Sequence, residues 1–509
     1  MRALTISFLA VYSLVMLLIC VYGMHRILLL CLYYSSKSRQ AKPRGRFQSL
    51  PPVTVQLPLF NEKYVVERLI DAVVRLDYPK DRLEIQVLDD STDDTVDIAS
   101  RCVKRYQDLG YDIQYLHRAN REGFKAGALE AGIKVAKGAF IAIFDADFIP
   151  RPGMLLDCIH FFTDPRVGMV QTRWGHLNPS HNMITRTQAM LLDGHFVIEH
   201  SARNRTGRFM NFNGTAGVWR RETVIDAGGW QHDTLTEDLD LSYRAQMRGW
   251  RFVFAPDLVS PAELPVEMNA FKTQQHRWTK GQVQTAKKLL PKILKSDLSW
   301  KVKLEAFFHL TCSTVYIYVV VMTLLLLPAL YARFEVKFWE SWQLLVFFHI
   351  PFFICASLSA SVFYVLTQRE INRRGWLRSI LMLPVLMAVG IGISLVNAKG
   401  VIEAFFNWPS GFIRTPKYGV DAANRSWRGK MYRGSRNFLP ILELIIAVYL
   451  SGVVCVAVAW GLWSMVPFLI MFQLGYFYVG LMSIFQGKKA VPVPSVAAAG
   501  LLLLALLLI

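Results

Sequence analysis

Two groups of carboxylates each follow a short apolar run in this 509-residue chain. Asp89 and Asp90 end the first run, and Asp145-Ala146-Asp147 ends the second. Clustered carboxylates repel one another unless a cation lies between them. A hard divalent ion such as Mg²⁺ is usually held by one or two carboxylates together with substrate phosphates. A single Asp-x-Asp is weak evidence, because turns are rich in aspartate, but two such groups predict a site for a divalent cation and a phosphorylated ligand.

Two further segments, 235–244 and 274–278, carry side chains that could do chemistry. In the first, Thr236 can cap a helix, and Glu237 and Asp238 in its first turn would complement the helix dipole even without a catalytic role. The second, Gln-Gln-His-Arg-Trp, stands just ahead of an apolar run, so it could be no more than an interfacial anchor. The sequence alone leaves both interpretations open at this point.

Strands and helices must alternate to bring these side chains together. Apolar runs of strand length and segments of helical spacing alternate from residue 53 onward, which predicts an α/β domain with a doubly wound sheet. The predicted strands are 53–57, 83–88, 112–116 and 139–144, and the predicted helices are 63–76, 94–107 and 123–136. Ligands gather at the carboxyl ends of such strands, where both carboxylate groups fall. The sequence lacks a Walker A loop, a GxGxxG after the first strand and a GxSxG elbow, which disfavours ATPases, dinucleotide dehydrogenases and α/β-hydrolases.

Hydrophobic residues make up 53% of the chain, and the long apolar runs lie outside residues 48–300. The first run, about 20 residues from residue 4, is long enough to cross a bilayer and lacks a cleavage site, which predicts a retained helix. Further runs lie near 305–330, 342–366, 377–397, 438–462, 464–485 and 491–509. The formal charge is +19, and the basic side chains crowd beside these runs, so we expect contact with a lipid bilayer and no nucleic-acid partner. The seven cysteines are scattered singly, which is typical of reduced thiols.

Short basic loops predict the topology, because Lys and Arg prefer the cytosolic side. The basic segment 37–46 places the following domain in the cytosol. If 377–397 crossed the bilayer, the basic residues of 398–436 would lie outside, so we expect a re-entrant or interfacial segment at 377–406, interrupted by Pro384, and six crossings in total. A full span that ignores the charge rule is the alternative. The predicted domains are an N-terminal helix with a basic linker at 1–47, a globular domain at 48–300, and a membrane bundle at 301–509 with a cytosolic loop at 407–436.

Taken in order, the motifs resemble those of the processive family 2 glycosyltransferases. The matching residues are Asp89/Asp90, Asp145-x-Asp147, Thr236-Glu237-Asp238 and Gln274-x-x-Arg277-Trp278. The sequences of segments 86–93, 124–129, 143–148 and 212–220 are similar to those of the cellulose synthase-like A group, the mannan and glucomannan synthases. This similarity covers about residues 50–290. Phe412-x-x-Thr415-x-Lys417 resembles the gating loop of cellulose synthases, although Arg414 stands where valine is usual.

This resemblance implies a GT-A-type doubly wound nucleotide-sugar domain inserted in an α-helical transmembrane bundle. It implies inverting transfer of a hexose from UDP- or GDP-hexose to the end of a growing β-glycan, helped by Mn²⁺ or Mg²⁺ held by Asp145 and Asp147. Asp238 would be the general base, with Glu237 beside it. The implied donor-binding residues are Asn61, Glu62, Asp89, Asp90, Lys125, Asp145, Gln274, Arg277 and Trp278. The implied acceptor residues are Trp278, Trp174, Asn213, Gly214 and Thr215, and the implied gating residues are Phe412, Thr415 and Lys417.

Several alternatives stay open at the level of sequence. The acceptor could be a polysaccharide, with translocation through the bundle, or a lipid, since glucosylceramide synthases carry a related Gln-x-x-Arg-Trp motif. A third hypothesis is a catalytically silent channel or scaffold subunit, but the intact set of carboxylates argues against it. The sugar, the choice of UDP or GDP, the oligomeric state and a periplasmic export partner are not determined. We expect a multi-pass protein of the plasma or inner membrane, or of the Golgi in a eukaryote, with its catalytic domain in the cytosol.

Overall fold

The computed structural model of the chain describes residues 2–335, 354–421, 427 and 438–486. Its globular part is built on one seven-stranded sheet with the strand order β3-β2-β1-β4-β6-β5-β7. The strands are β1 Val53–Leu59, β2 Leu83–Asp89, β3 Ile113–His117, β4 Phe140–Ile143, β5 Val167–His176, β6 Gly217–Arg220 and β7 Arg251–Ala262. β1 to β4 are parallel, whereas β6 runs antiparallel to both of its neighbours. The predicted alternation of strands and helices is confirmed, and β6 makes the sheet mixed.

Helices cover both faces of this sheet, and separate membrane helices flank the domain. Their bounds are Arg2–Ser35, Val66–Val74, Thr95–Asp108, Phe124–Val135, Met154–Ile159, Met183–Asp193, Ser201–Arg205, Arg221–Asp226, Glu237–Met247, Met268–Lys295, Trp300–Thr311, Val315–Glu335, Ser359–Ile371, Leu377–Ile380, Leu383–Gly392, Ser394–Phe405, Leu439–Ala459 and Val466–Phe485. A π-helix, Gly194–His200, joins Met183–Asp193 to Ser201–Arg205. The first predicted helix, at 63–76, is shorter in the structure, because residues 61–65 form a turn after β1.

The two faces of the sheet bury two separate cores, as the alternation of side chains along a strand requires. On β4, Phe140 and Ala142 belong to the core shared with Val66–Val74 and Thr95–Asp108. Ile141 and Ile143 belong to the opposite core, shared with helices 124–135 and 237–247. A strand buried on both faces can be nearly pure apolar, which explains why this run carries no polar residue before its carboxylates.

The register of the central strands gathers their carboxyl ends at one edge. Leu59 at the end of β1 pairs with Asp89 at the end of β2. On the other side of β1, Gln56 pairs with Ile143, the last residue of β4. Asp145 follows two residues later. The two carboxylate groups singled out in the sequence therefore flank the end of β1, as the strand-end rule predicts.

Five helical stretches among the described residues are long and apolar enough to cross a membrane. They are Ser7–Ser35, Trp300–Ala332, Leu377–Phe405, Leu439–Ala459 and Val466–Phe485. The predicted runs at 342–366 and 491–509 lie partly and wholly outside the described residues. The stretch 377–405 is divided into three consecutive helices with breaks near 381–382 and 393. The chain is an integral membrane protein.

One long helix, Met268–Lys295, connects the globular domain to the membrane part. It carries the Gln-x-x-Arg-Trp motif, and its Val283 packs with Val401 and Ala404 of helix Ser394–Phe405. Near its start, the buried Lys272 ammonium lies 2.6 Å from the carboxylate of Glu443 in helix 439–459. The motif is thus carried on a helix that packs, at both points, against helices outside the globular domain.

Candidate active site

A pocket opens at the carboxyl edge of the sheet, where the strand ends gather. The predicted site residues that line it are Glu62, Asp90, Lys125, Asp145, Asp147, Trp174, Asn213, Gly214, Glu237, Asp238, Gln274, Arg277, Trp278, Phe412, Thr415 and Lys417. Segments more than 300 residues apart in sequence therefore meet at one concave surface.

Three of the predicted residues are not among those that line the pocket: Asp89 and Thr215 are fully buried, and Asn61 is half-buried beside it. Asp89 is fully buried and accepts a hydrogen bond from the Tyr115 hydroxyl at 2.6 Å. The buried Thr215 hydroxyl accepts the backbone N–H of Asp145 at 2.8 Å. Asn61 adopts a positive φ of 57°, and its side-chain oxygen accepts the backbone N–H of residue 92. These residues hold the pocket's backbone in place and do not face its interior.

Arg118, which the sequence analysis missed, fixes the Asp90 carboxylate. Its Nε and Nη2 atoms donate to the two carboxylate oxygens at 2.7 and 2.5 Å, a bidentate pairing that sets the plane of the carboxylate. Arg118 is the first residue after β3, at the same edge as the other strand ends. The strand-end rule that found the carboxylates would have found it too, had it been applied to basic residues.

Lys125 sits at the centre of the charged lining and is not a solvated surface lysine. Its ammonium group donates to Asp145 Oδ1 at 2.5 Å and to the carbonyl oxygen of Gly214 at 2.9 Å. Burial alone would lower the pKa of Lys125, but the carboxylates of Asp145 and Glu237 outweigh it and the pKa is raised. Lys125 therefore remains a fixed positive charge at neutral pH.

Glu237, which is buried, and Asp238, which is partly exposed to the pocket, form a pair of carboxyl groups in the first turn of helix Glu237–Met247. Burial, followed by the adjacent Glu237 carboxylate, raises the pKa of Asp238 to about 7. The Asp238 carboxylate accepts the backbone N–H of Leu239 at 2.8 Å. A carboxylate of this pKa is well matched to accepting a proton at neutral pH. The predicted cap is not formed, because the Thr236 hydroxyl pairs with a threonine hydroxyl on helix 268–295 instead of a helix N–H.

Arg277 and Trp278 extend from helix Met268–Lys295 into the pocket. Arg277 makes no ion pair within 4.0 Å among the described residues, although its surroundings are acidic, and burial lowers its pKa. Its guanidinium group lies over the Phe412 ring at 4.5 Å. Trp278 and Trp174 have ring centroids 6.5 Å apart and form an aromatic wall in the pocket. Such a wall can stack against a sugar ring.

The segment 412–417, which resembles a gating loop, contributes Phe412, Thr415 and Lys417 to the pocket lining. Its Lys417 ammonium group donates to Asp147 Oδ2 at 2.6 Å. Arg414, where the resemblance predicts a valine, lies 2.7 Å from the Glu62 carboxylate. Burial raises the pKa of Glu62 to about 7 even though Arg414 opposes this effect. The departure from the family pattern therefore adds an ion pair to the segment after β1, beside the one that Lys417 makes with the segment after β4.

The Asp-x-Asp residues fit a hard divalent cation, because they offer only oxygen atoms and are two residues apart. Asp145 and Asp147 each contact one lysine, Lys125 and Lys417 respectively. Across the residues that the structure describes, no cluster of three or more His, Cys, Asp or Glu side chains could hold a metal ion. A cation here would need additional oxygen ligands, and a diphosphate supplies them.

Comparisons with known proteins agree with this geometry. The chain matches the family model described as Glycosyltransferase like family 2 over residues 51–281. It is 33% identical over 445 residues to Glucomannan 4-beta-mannosyltransferase 7 of Arabidopsis thaliana, covering 85% of this chain and 76% of that protein. It is 34% identical over 457 residues to Probable glucomannan 4-beta-mannosyltransferase 9 of Oryza sativa subsp. japonica, covering 85% and 81%. Among solved structures, it resembles mannosyltransferase PcManGT from Pyrobaculum calidifontis in complex with GDP-Man and Mn²⁺, with a TM-score of 0.51, 19% identity and coverage of 78% and 100%.

A GT-A-type domain carried by membrane helices, with a carboxylate-lined pocket at its strand ends, defines a membrane-bound hexosyltransferase. This chain belongs to glycosyltransferase family 2, and within it to the family of the glucomannan 4-β-mannosyltransferases. The predicted resemblance to the cellulose synthase-like A group is therefore confirmed. The likeness to the archaeal structure, at 19% identity, concerns the fold alone.

Proposed function

We propose that this enzyme transfers mannose from GDP-mannose to the 4-hydroxyl at the end of a growing β-glycan. The relatives support this sugar and linkage, since they are named as glucomannan 4-β-mannosyltransferases. The observation that carries the proposal is the convergence of Asp238, Arg277 and Trp278 on one pocket beside a helix that runs to the membrane. A base, a cation for a diphosphate and a platform for a sugar are the three groups that such a transfer needs.

In the proposed reaction, the acceptor hydroxyl attacks the anomeric carbon as the bond to the diphosphate breaks. Asp238 takes the hydroxyl proton, because a hydroxyl is a poor nucleophile at neutral pH. Attack from the face opposite the leaving group inverts the anomeric configuration. The guanidinium group of Arg277 can donate two parallel hydrogen bonds to the diphosphate, and Trp278 packs against the terminal sugar of the acceptor.

Asp145 and Asp147 are the residues that would hold Mn²⁺ or Mg²⁺. When bound, the ion supplies positive charge to the diphosphate and so stabilises the leaving group. Lys125 and Lys417 contact these two carboxylates and orient them. The arrangement is consistent with the carboxylates changing partner when a donor enters.

We further propose that the domain of about residues 48–300 lies in the cytosol and that 377–405 lies at the membrane surface. The helix Ser394–Phe405 packs along Met268–Lys295, and its Glu403 carboxylate lies 3.1 Å from the ammonium of Lys280 on that helix. Because helix Ser394–Phe405 contacts the helix that carries pocket residues, we interpret it as an interfacial element and not as a membrane span. Gly411 is open to solvent and next to this helix, so an epitope tag placed there should be accessible only from the cytosolic side. Accessibility from the opposite side would overturn this topology.

The decisive experiment measures nucleoside diphosphate release from a panel of GDP- and UDP-hexoses by the purified protein in Mn²⁺ or Mg²⁺, followed by sizing of the product. GDP release from GDP-mannose with a long β-linked product is the expected result. UDP release, or a single sugar on an organic-extractable lipid, would refute the proposed donor or acceptor respectively. The control is Asp108→Asn, an exposed aspartate at the end of helix Thr95–Asp108, which should behave like the wild type.

A further inference from the structure

The side chain of Asn213 is held at both ends by two histidines that no motif of the sequence analysis includes. The Asn213 Nδ2 atom lies 3.0 Å from His195 Nε2, and its Oδ1 atom lies 2.7 Å from His200 Nε2. Its backbone N–H donates to Gln171 Oε1 at 3.0 Å. Asn213 lines the pocket, while His200 is fully buried beneath it.

The hydrogen bonds of this cluster agree on one set of tautomers. A carboxylate only accepts, so the 3.0 Å contact of His195 Nδ1 with Glu199 places the proton on Nδ1. The Nε2 atom of a neutral His195 then accepts from the Asn213 amide. The Asn213 oxygen in turn accepts from His200 Nε2–H, and burial holds the pKa of His200 well below its usual range, so that this ring stays neutral.

The π-helix Gly194–His200 is what brings the two rings together. A π-helix bonds each residue to the one five positions along, so side chains five apart fall on the same side. His195 and His200 have this spacing, and their ring centroids are 4.4 Å apart. In an α-helix the same two residues would point in different directions. The His200 ring is also stacked on Phe254, at 5.3 Å and 26°.

The clamp that His195 and His200 form around the Asn213 side chain acts on the segment that lies against the proposed base, Asp238. Gly214, the next residue, has a φ of 79° and accepts a hydrogen bond from Lys125 through its carbonyl oxygen. Its α-carbon faces the Asp238 carboxylate, with no room for a methyl group between them. Loss of the contacts that hold the Asn213 side chain would therefore free the adjoining peptide, whose Gly214 contacts both Lys125 and Asp238.

The clamp is anchored to the first membrane helix by a series of charged contacts. Glu199 Oε2 lies 3.4 Å from the guanidinium of Arg203. Arg203 Nε donates to Glu305 Oε1 at 2.8 Å, and the other Glu305 oxygen lies 3.0 Å from His25 Nε2 on helix Arg2–Ser35. The side chains of Arg203, Glu305 and His25 are buried, and Glu199 is largely so, which makes the anchor rigid.

We propose that His195 and His200 are positioning residues for glycosyl transfer, which hold the Asn213–Gly214 peptide against Asp238 and Lys125. The proposal rests on Asp238 being the base of the proposed function. Neither histidine touches the substrate in this assignment. They act through one carboxamide, and their effect on the chemical step depends on that carboxamide being present.

The test compares leucine and glutamine at each histidine, since the amide of glutamine can reproduce one ring nitrogen and leucine cannot. We expect His195→Leu and His200→Leu to lower kcat for diphosphate release by about 10- to 100-fold, the range for a small misplacement of catalytic groups. The donor KM should change less than kcat. His195→Gln and His200→Gln should recover most of the loss. Unchanged kcat in both leucine variants would overturn the proposal.

A double-mutant cycle separates positioning from a general loss of folding. In an Asn213→Ala background, His200→Leu should have little further effect on kcat, because the shared carboxamide is already absent. Fully additive effects, or glutamine variants that lose Tm and kcat in parallel with the leucine variants, would overturn the clamp. The cycle reports this coupling even if Asp238→Asn remains active, an outcome that would refute the base and leave the coupling measurable.

Discussion

The Asp238 carboxylate lies directly against the α-carbon of Gly214: a methyl group on Gly214 would come within 2.9 Å of Asp238 Oδ2. The same methyl group would lie 3.4 Å from the Lys125 ammonium. Gly214 is therefore required for two independent reasons, a left-handed backbone with a φ of 79° and the close approach of the carboxylate. The spacing between the proposed base and the acceptor-side loop leaves no room for a side chain.

Gly214→Ala should impair catalysis far more than it impairs stability. Left-handed backbone in a non-glycine residue costs roughly 1–2 kcal/mol, whereas displacement of Asp238 by a few tenths of an ångström affects the chemical step directly. We expect a fall in kcat of at least about tenfold. Gly110→Ala is the matched control, because Gly110 has a φ of 78° and open space around its α-carbon. Equal kcat in the two variants would contradict the role of close packing at Gly214.

The pKa of Asp238, raised to about 7 by burial and by Glu237, sets the expected pH dependence of the rate. A general base acts only when deprotonated, so kcat should rise with pH through about 7 and level off above it. Asp238→Asn should lose about 10²- to 10⁴-fold in kcat. A pH-rate profile of diphosphate release checks both statements, with Asp108→Asn as control. Full activity of Asp238→Asn would refute the assignment.

The raised pKa of Asp238 also affects the stability of the folded protein. The pKa of Asp238 is higher in the folded than in the unfolded state, so between the ordinary aspartate range and about pH 7 the folded state binds more protons. The contribution of this group to the free energy of unfolding therefore falls as pH rises through that window. Asp238→Asn should raise Tm relative to the wild type by more at pH 8 than at pH 5. A pH-independent difference in Tm would argue against the raised pKa.

Arg414 should hold the gating loop closed. Arg414→Met removes the ion pair with Glu62, whose carboxylate is then buried without that cation, a change that costs stability. We expect faster amide hydrogen exchange across 412–417 and a higher donor KM. Glu62→Gln combined with Arg414→Met should lose less than the single Arg414 variant. Arg101→Met, at an exposed position on helix Thr95–Asp108, is the control; unchanged exchange in Arg414→Met would count against the closed loop.

Lys280 should anchor the base of the same loop. Its ammonium group is buried and donates to Glu403, to the carbonyl oxygen of Trp408 and to Ser410 Oγ at 2.7–3.1 Å. Lys280→Met leaves these acceptors unsatisfied and should lower Tm and raise the donor KM. Lys399→Met removes a half-exposed partner of the same Glu403 at 3.6 Å, so it should have little effect. Equal effects of the two substitutions would rule out a special role for Lys280.

The sheet and its carboxylate edge were predictable because they depend on local patterns: apolar runs, helical spacing and the strand-end rule. Asp90, Asp145 and Asp147 follow from these patterns alone. The pairing of Arg414 with Glu62 does not, because it joins residues 352 positions apart through the fold. The π-helix at 194–200 was also missed, since no local preference marks it and packing selects it. Resemblance supplied the roles of Glu237 and Asp238, whose local pattern equally fits a helix start.

Arg277 and Trp278 are consecutive residues of a single 28-residue helix. Any shift or rotation of that helix moves the proposed diphosphate-binding group and the proposed sugar platform together. A movement of this helix would therefore change affinity for the donor and affinity for the acceptor at the same time, whereas Trp174, on strand β5, can shift without moving Arg277.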